Sequence, residues 1–215
     1  MSIFNVRQPR VSILMYHQIG RFPSPCPDRF VCDDGYANFQ EHAWPILQHY
    51  GYPATVFLVS GLIGRQATWL GADRPPYLMD ATAIQQLHRH GIAFGGHTRT
   101  HGHLIHLDEE QQRLEIFGCK AELEDLLGEA VSDFCYPYGE YDARTRALTA
   151  EAGYRMALTC IRSAANSTDP ALELPRMDIT HGDNPIRFLR KLLRRRGRNR
   201  SSRPSLARSQ SDLAS

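Results

Sequence analysis

The sequence predicts an α/β fold with parallel strands. Short apolar runs typical of buried strands alternate about six times with segments whose apolar residues recur at helical spacing. The clearest run, residues 54–59, is continuous and rich in β-branched residues, as expected for a strand covered on both faces. In such folds, functional side chains gather at the carboxyl ends of the strands.

The remaining elements follow from the same patterns. Pro45 falls inside the first helical pattern and is expected to kink that helix. Asp108 and Gln111 form a predicted capping pair at the start of the longest helix. The other strands are predicted at 11–16, 30–33, 91–96, 131–136, 155–160 and 174–180, and the helices at 36–50, 81–90, 109–127, 142–152 and 186–193.

The charge distribution divides the chain into two regions. Residues 1–186 carry 15 basic and 22 acidic side chains, whereas the residues from Arg187 onward carry 10 basic side chains and one acidic side chain. We therefore predict a folded domain over 1–193 and a basic, disordered tail over 194–215. The tail could contact an anionic polymer or membrane surface, but no aromatic residue interleaves its arginines, so specific nucleic-acid binding is not expected.

The sequence shows no sign of export or of a disulfide framework. Residues 1–10 are too polar for a signal peptide, and no apolar run is long enough to cross a bilayer, so a cytoplasmic protein is expected. The five cysteines are scattered without a Cys-x-x-Cys pair, which argues against a structural zinc site built from cysteines. The oligomeric state is left open.

Two adjacent carboxylates, Asp33 and Asp34, follow a predicted strand. Two carboxylates so close together repel each other, which raises the pKa of one of them. A nearby cation would offset this repulsion. His97 and His101 are four residues apart, so they could share one face of a helix or lie in a tight loop between the flanking glycines. Two histidines and one carboxylate form the three-ligand set of a catalytic zinc site with an open position.

Three segments resemble the successive motifs of one family. Residues 32–36 (Cys-Asp-Asp-Gly-Tyr), 97–101 (His-Thr-Arg-Thr-His) and 134–139 (Phe-Cys-Tyr-Pro-Tyr-Gly) are similar to those of the polysaccharide deacetylases, the NodB-type, family-4 carbohydrate esterases. Residues 14–17 (Leu-Met-Tyr-His) resemble the poly-N-acetylglucosamine deacetylase branch. The resemblance spans 11–193 and implies a distorted (β/α) barrel of about seven parallel strands.

The resemblance implies a hydrolase that removes N-acetyl groups from N-acetylated oligo- or polysaccharides. Asp34, His97 and His101 would hold a divalent metal, usually Zn²⁺, which polarises the acetamide carbonyl and the attacking water. Asp33 would be the general base that takes the proton of this water.

Further residues are implied around this centre. Arg176 would pair with the base and keep it ionised, and the backbone N–H of Tyr138 would stabilise the oxyanion. The acid that protonates the leaving amine would be His17 in this branch, with His181 as the alternative. Relatives of this branch are often exported, so the alternative location is the cell envelope or outside the cell.

The sequence departs from the family pattern in two places. Val31-Cys32 replaces the usual Thr-Phe before the two carboxylates, and both remain suitable strand residues. The segment between His17 and Asp33 is short, and a missing βα unit there would leave a gap in the barrel wall. Two rival functions are therefore kept: a carbohydrate-binding or assembly protein that has lost turnover, and an amidohydrolase acting on a small non-sugar amide.

Overall fold

The computed structural model describes residues 10–11, 13–16, 30–179 and 183–193. Within these ranges it contains nine strands and five α-helices. The strands are β1 (Arg10–Val11), β2 (Leu14–Tyr16), β3 (Phe30–Cys32), β4 (Ala54–Leu58), β5 (Ala93–Gly96), β6 (Asp133–Cys135), β7 (Met156–Arg162), β8 (Ala165–Asn166) and β9 (Leu174–Asp178). The helices are α1 (Trp44–Tyr50), α2 (Ala81–Arg89), α3 (Glu109–Leu127), α4 (Ala143–Glu151) and α5 (Pro185–Leu193).

Seven parallel strands close into a barrel in the order β2-β3-β4-β5-β6-β7-β9. The closing contact is between β2 and β9, where Leu14 pairs with Met177. The ladder between β7 and β9 shifts register between Leu158 and Arg162, which distorts the wall at this point. The predicted α/β class and distorted barrel of about seven parallel strands are confirmed.

The short segment before Asp33 does not open the wall. Strand β2 pairs directly with β3, with Leu14 opposite Phe30 and Tyr16 opposite Cys32. Among the described residues the barrel is therefore continuous here, and the gap considered for a missing βα unit is not present.

Two predicted elements are corrected. The single strand expected at 11–16 is divided, because β1 leaves the barrel and pairs antiparallel with β8. The helix expected over 36–50 is a π-helix at Phe39–Ala43 followed by α1. Pro45 is the second residue of α1, so the irregularity, a π-helix, directly precedes the proline, whose ring and missing N–H disturb the turn before it.

The helix caps follow the sequence closely. The side chain of Asp108 accepts from the backbone N–H of Gln111 at 2.8 Å, and the Gln111 side chain accepts from the N–H of Asp108, which completes a capping box. Asp80 caps α2 in the same way through the N–H of Ala83. Among the described residues, no helix combines the length and apolar character needed to span a bilayer.

Three predictions fall outside the described residues. These are the acid His17, the alternative acid His181 and the basic tail at 194–215. They remain predictions.

Candidate metal centre

The predicted site residues meet at one end of the barrel. Asp33 and Asp34 follow β3, His97 follows β5, and Tyr138 lies just beyond β6. Arg176 lies within β9 and is 1 % exposed. Because the strands are parallel, their carboxyl ends share this edge, as the sequence predicted.

The two adjacent carboxylates have different partners. Asp34 and Gly35 have φ angles of 71° and 73°, and this left-handed turn sends the two side chains in different directions. Asp33 accepts a hydrogen bond from Arg176 Nη1 at 2.7 Å. Asp34 faces the two predicted histidines instead.

The atoms of the predicted ligand set converge closely. Asp34 Oδ1 lies 3.3 Å from His97 Nε2 and 3.2 Å from His101 Nε2. His97 Nδ1 donates to the carbonyl oxygen of Cys135 at 2.7 Å, because a carbonyl can only accept. In the neutral ring this bond leaves the lone pair on Nε2, directed toward Asp34, which is the arrangement of a metal ligand.

The residues fit a cation better than a hydrogen-bonded cluster. Within the described part of the chain, Asp34 Oδ1 and His101 Nδ1 are buried without a hydrogen-bond partner. A buried polar atom without a partner costs about 1–3 kcal/mol, and a metal ion between the three side chains would satisfy the carboxylate oxygen. The ligand atoms of Asp34, His97 and His101 all lie within 4.8 Å of one another, a span that one ion can bridge.

The charge state of Asp34 also favours a bound cation. Burial by itself raises the pKa of this carboxyl group, but the interaction with the adjacent imidazoles of His101 and His97 holds the pKa well below its ordinary value. The side chain is therefore an ionised carboxylate, although only 4 % of the residue is exposed. A negative charge in this position favours a cation.

Arg176 balances the second carboxylate. Its Nε donates to the carbonyl oxygen of Thr159 at 2.8 Å, and Nη2 contacts Cys135 Sγ at 3.2 Å, in addition to the bond to Asp33. Burial opposes the charge, yet the interaction with Asp33 keeps the pKa of Arg176 well above its ordinary value. Asp33 is thus held beside a fixed positive charge.

A second group of candidate ligands shares His97. Asp33, His97 and Cys135 also lie within 4.8 Å of one another. However, the guanidinium of Arg176 contacts both Asp33 and Cys135, so a cation in that position would be repelled. The set of Asp34, His97 and His101 is the better candidate.

The two histidines lie in a loop rather than on a helix. Thr98 and His101 have φ angles of 65° and 61°, which no α-helix contains. The carboxylate of Glu115, from α3, accepts from the backbone N–H groups of Arg99 and Thr100 at 2.8 and 2.9 Å, and from the Thr100 hydroxyl at 2.8 Å. This carboxylate fixes the segment between the two histidines.

Aromatic rings surround His101 at the mouth of the barrel. Trp69 stacks on the His101 ring with centroids 4.5 Å apart and an interplanar angle of 17°. The ring of Tyr138 meets His101 at 76° and stacks on the exposed His103 at 3.9 Å. These rings form a half-exposed rim above the buried histidine.

Backbone strain is concentrated at the same place. Among the described non-glycine residues, those with positive φ are Asp34, Thr98, His101 and Tyr138. Such conformations each cost about 1–3 kcal/mol and persist where the surrounding structure holds them, typically at functional sites.

A family comparison agrees with this geometry. The sequence profile of the family described as "Polysaccharide deacetylase" matches residues 30–157, more than half of the chain. The chain belongs to the polysaccharide deacetylase family. The matched range includes Asp33, Asp34, His97, His101 and Tyr138, whereas Arg176 lies beyond it.

Individual relatives support the family and the fold. YxkH of Bacillus subtilis (strain 168), provisionally named a polysaccharide deacetylase, is 27 % identical over 174 residues, which are 81 % of this chain and 58 % of YxkH. The chain thus spans little more than half of that relative. Two solved structures share the fold. Streptococcus pyogenes deacetylase PplD in complex with acetate is 20 % identical with a TM-score of 0.72, over 86 % of this chain and 98 % of PplD. IcaB from Ammonifex degensii is 19 % identical with a TM-score of 0.64, over 80 % of this chain and 92 % of IcaB.

Sequence reasoning missed two residues of this deacetylase-family site. Trp69 belongs to the segment 61–77, whose apolar residues have no regular period and therefore predict neither a helix nor a strand. Glu115 lies in a helix rich in charged residues, and no motif distinguishes it from its neighbours. Only the folded chain shows that Trp69 stacks on His101 and that Glu115 accepts hydrogen bonds from the loop between the two histidines.

Proposed function

We propose that this protein is a metal-dependent deacetylase that hydrolyses the acetamide groups of N-acetylated oligo- or polysaccharides. The observation that carries the proposal is the separation of two adjacent carboxylates. Asp34 faces His97 and His101, while Asp33 is paired with the buried Arg176. Asp34, His97 and His101 would hold a divalent ion, for which Zn²⁺ suits the nitrogen and oxygen ligands.

When bound, the ion would act as a Lewis acid that polarises the acetamide carbonyl and lowers the pKa of water. The protein residues perform the proton transfers. Asp33 accepts a proton from water as the water oxygen adds to the carbonyl carbon. The C–N bond then breaks, the amine takes a proton, and acetate and the free amino sugar leave.

Two further groups complete the proposal. The backbone N–H of Tyr138 stabilises the negative charge that develops on the carbonyl oxygen. His17 donates the proton to the leaving amine, with His181 as the alternative, and both lie outside the described residues. The rim formed by Trp69 and Tyr138 presents aromatic faces suited to a sugar ring.

Acetate release tests this function. Wild-type protein loaded with Zn²⁺ is incubated with N-acetylglucosamine oligomers and, separately, with small non-sugar acetamides. We expect acetate from the oligomers and a loss of about 10²–10⁴-fold in kcat for Asp33→Asn, as for other general bases. Acetate from the small amides alone would favour the amidohydrolase. Oligomer binding without turnover would favour a binding or assembly protein.

The same assay assigns the acid. His17→Ala and His181→Ala are compared for turnover and for bound metal. We expect His17→Ala to lose turnover while keeping the metal. Loss in His181→Ala alone would reverse the assignment.

A further inference from the structure

The last described helix, α5, presents aliphatic side chains to solvent. Ile186 is 67 % exposed and Leu189 is 54 % exposed, and these residues are three positions apart on one face of the helix. Arg187 and Arg190 are also exposed; by helical spacing Arg190 lies beside the aliphatic pair, and Arg187 lies toward the opposite side of the helix. Helices that lie in a membrane interface combine an apolar face with a polar face rich in Lys and Arg.

A lysine on the opposite side of α5 connects the helix to the barrel. Lys191 Nζ donates to the carbonyl oxygen of Asp178, the last residue of β9, at 2.8 Å, and also to the Asp183 carboxylate. At about 3.6 residues per turn, Lys191 lies on the far side of the helix from Ile186 and Leu189. The hydrogen bond to the barrel is therefore on the side of the helix away from the aliphatic pair, which is exposed.

Charge is divided between the barrel and this end of the chain. Residues 1–186 have a formal net charge of −7, whereas the ten residues 194–203 directly after α5 include six arginines and no acid. An anionic surface would repel most of the barrel and attract α5 and the residues that follow. Each Lys or Arg near such a surface contributes about 1 kcal/mol to the attraction.

We propose that α5 binds the surface of an anionic phospholipid membrane. The arginines alone would suit any polyanion, but the outward aliphatic pair favours lipid, since a nucleic acid or acidic polymer offers no apolar layer to receive it. The interface would hold the barrel at the membrane surface. This inference does not depend on the deacetylase activity.

Vesicle flotation with the full-length chain tests the proposal. We expect binding to vesicles of phosphatidylglycerol and phosphatidylcholine, little binding to phosphatidylcholine alone, and weakening by salt. The variant I186S/L189S should bind the anionic vesicles about tenfold or more weakly, because it loses two apolar side chains that would enter the interface. Leu114→Ser is the matched control, since Leu114 is 56 % exposed on α3 and should leave binding unchanged.

The alternatives give different results. Unchanged binding of I186S/L189S would overturn the proposal, as would equal binding of wild type to neutral vesicles. Tighter binding to double-stranded DNA than to anionic vesicles, insensitive to the aliphatic pair, would replace lipid with a polyanion. A change of oligomeric state in I186S/L189S, seen by light scattering, would show that a second copy of the chain covers this face instead. Matching thermal melts of variant and wild type confirm that the fold is retained.

Discussion

Arg176 and Asp33 form an ion pair of 2.7 Å between Nη1 and Oδ1, in which the arginine side chain is 0 % and the aspartate side chain 2 % exposed. The two residues are 143 positions apart in the sequence, on β9 and directly after β3. The pair thus links the first half of the barrel to its last strand at the proposed catalytic centre.

Removing Arg176 should destabilise the protein strongly. In Arg176→Met, Asp33 loses a buried charge partner, and breaking such a pair costs about 3–5 kcal/mol. Arg162→Met is the control, because Arg162 pairs with Asp178 through a side chain that is 66 % exposed, and surface pairs contribute about 0–1 kcal/mol. Denaturant unfolding measures both free energies. Equal losses in the two variants would contradict the assigned role.

Glu115 should support metal binding without touching the metal. Glu115→Ala removes three hydrogen bonds to the loop between His97 and His101, and loss of such supporting contacts lowers metal affinity about 10–100-fold. Competition with a chelator measures the affinity. Glu109→Ala is the control and should keep the wild-type affinity, because Glu109 lies on the same helix but accepts a hydrogen bond from the half-buried Arg113 instead of from the loop. No difference between the two variants would remove Glu115 from the site.

Trp69 should orient His101 by stacking. His97 has a hydrogen bond from Nδ1 that fixes its ring, whereas His101 Nδ1 has no partner within the described residues. The His101 ring is therefore restrained by ring contacts, of which the stacked Trp69 ring covers its face and Tyr138 meets it edge-on. We expect Trp69→Ala to lower metal affinity about tenfold and Trp69→Phe to restore most of it, in line with other outer contacts of metal ligands. Leu70→Ala, a change in the neighbouring exposed residue, should have no effect. Unchanged affinity in Trp69→Ala would contradict the stacking role.

Gly95 should not accept a side chain. A Cβ atom at this position in β5 would lie 2.5 Å from the Phe57 ring and 2.8 Å from the Asp133 carbonyl oxygen. Gly95→Ala should therefore cost about 1–3 kcal/mol, as for other overpacked cores. Gly102→Ala is the control, because its nearest neighbour would be 3.6 Å away. Thermal unfolding measures the loss of stability in both variants, and the loss should be larger in Gly95→Ala.

The sequence predicted the features that depend on local patterns. Strand runs, the capping box at Asp108 and the carboxylates at a strand end all follow from residues close together in the chain. The sequence left open whether His97 and His101 share a helix or a loop. The spacing fits both, and only the positive φ angles of Thr98 and His101 settle it.

Other features depend on contacts between distant segments. Trp69 is 32 positions from His101, and Glu115 is 16 positions from Arg99, so no periodicity relates them. The first strand is divided for the same reason. Strand β1 pairs with β8, more than 150 residues later, and not with the barrel strands. Tertiary pairing overrides a continuous apolar run here.

The central claim is that Asp33 and Asp34 have separate roles. The most direct test is the zinc content per chain, after dialysis, of the isosteric variants Asp33→Asn and Asp34→Asn, read together with acetate release. We predict that Asp34→Asn loses the zinc, whereas Asp33→Asn keeps about one zinc per chain and loses turnover. Retention of zinc by Asp34→Asn, or its loss from Asp33→Asn alone, would contradict the assignment of the two carboxylates.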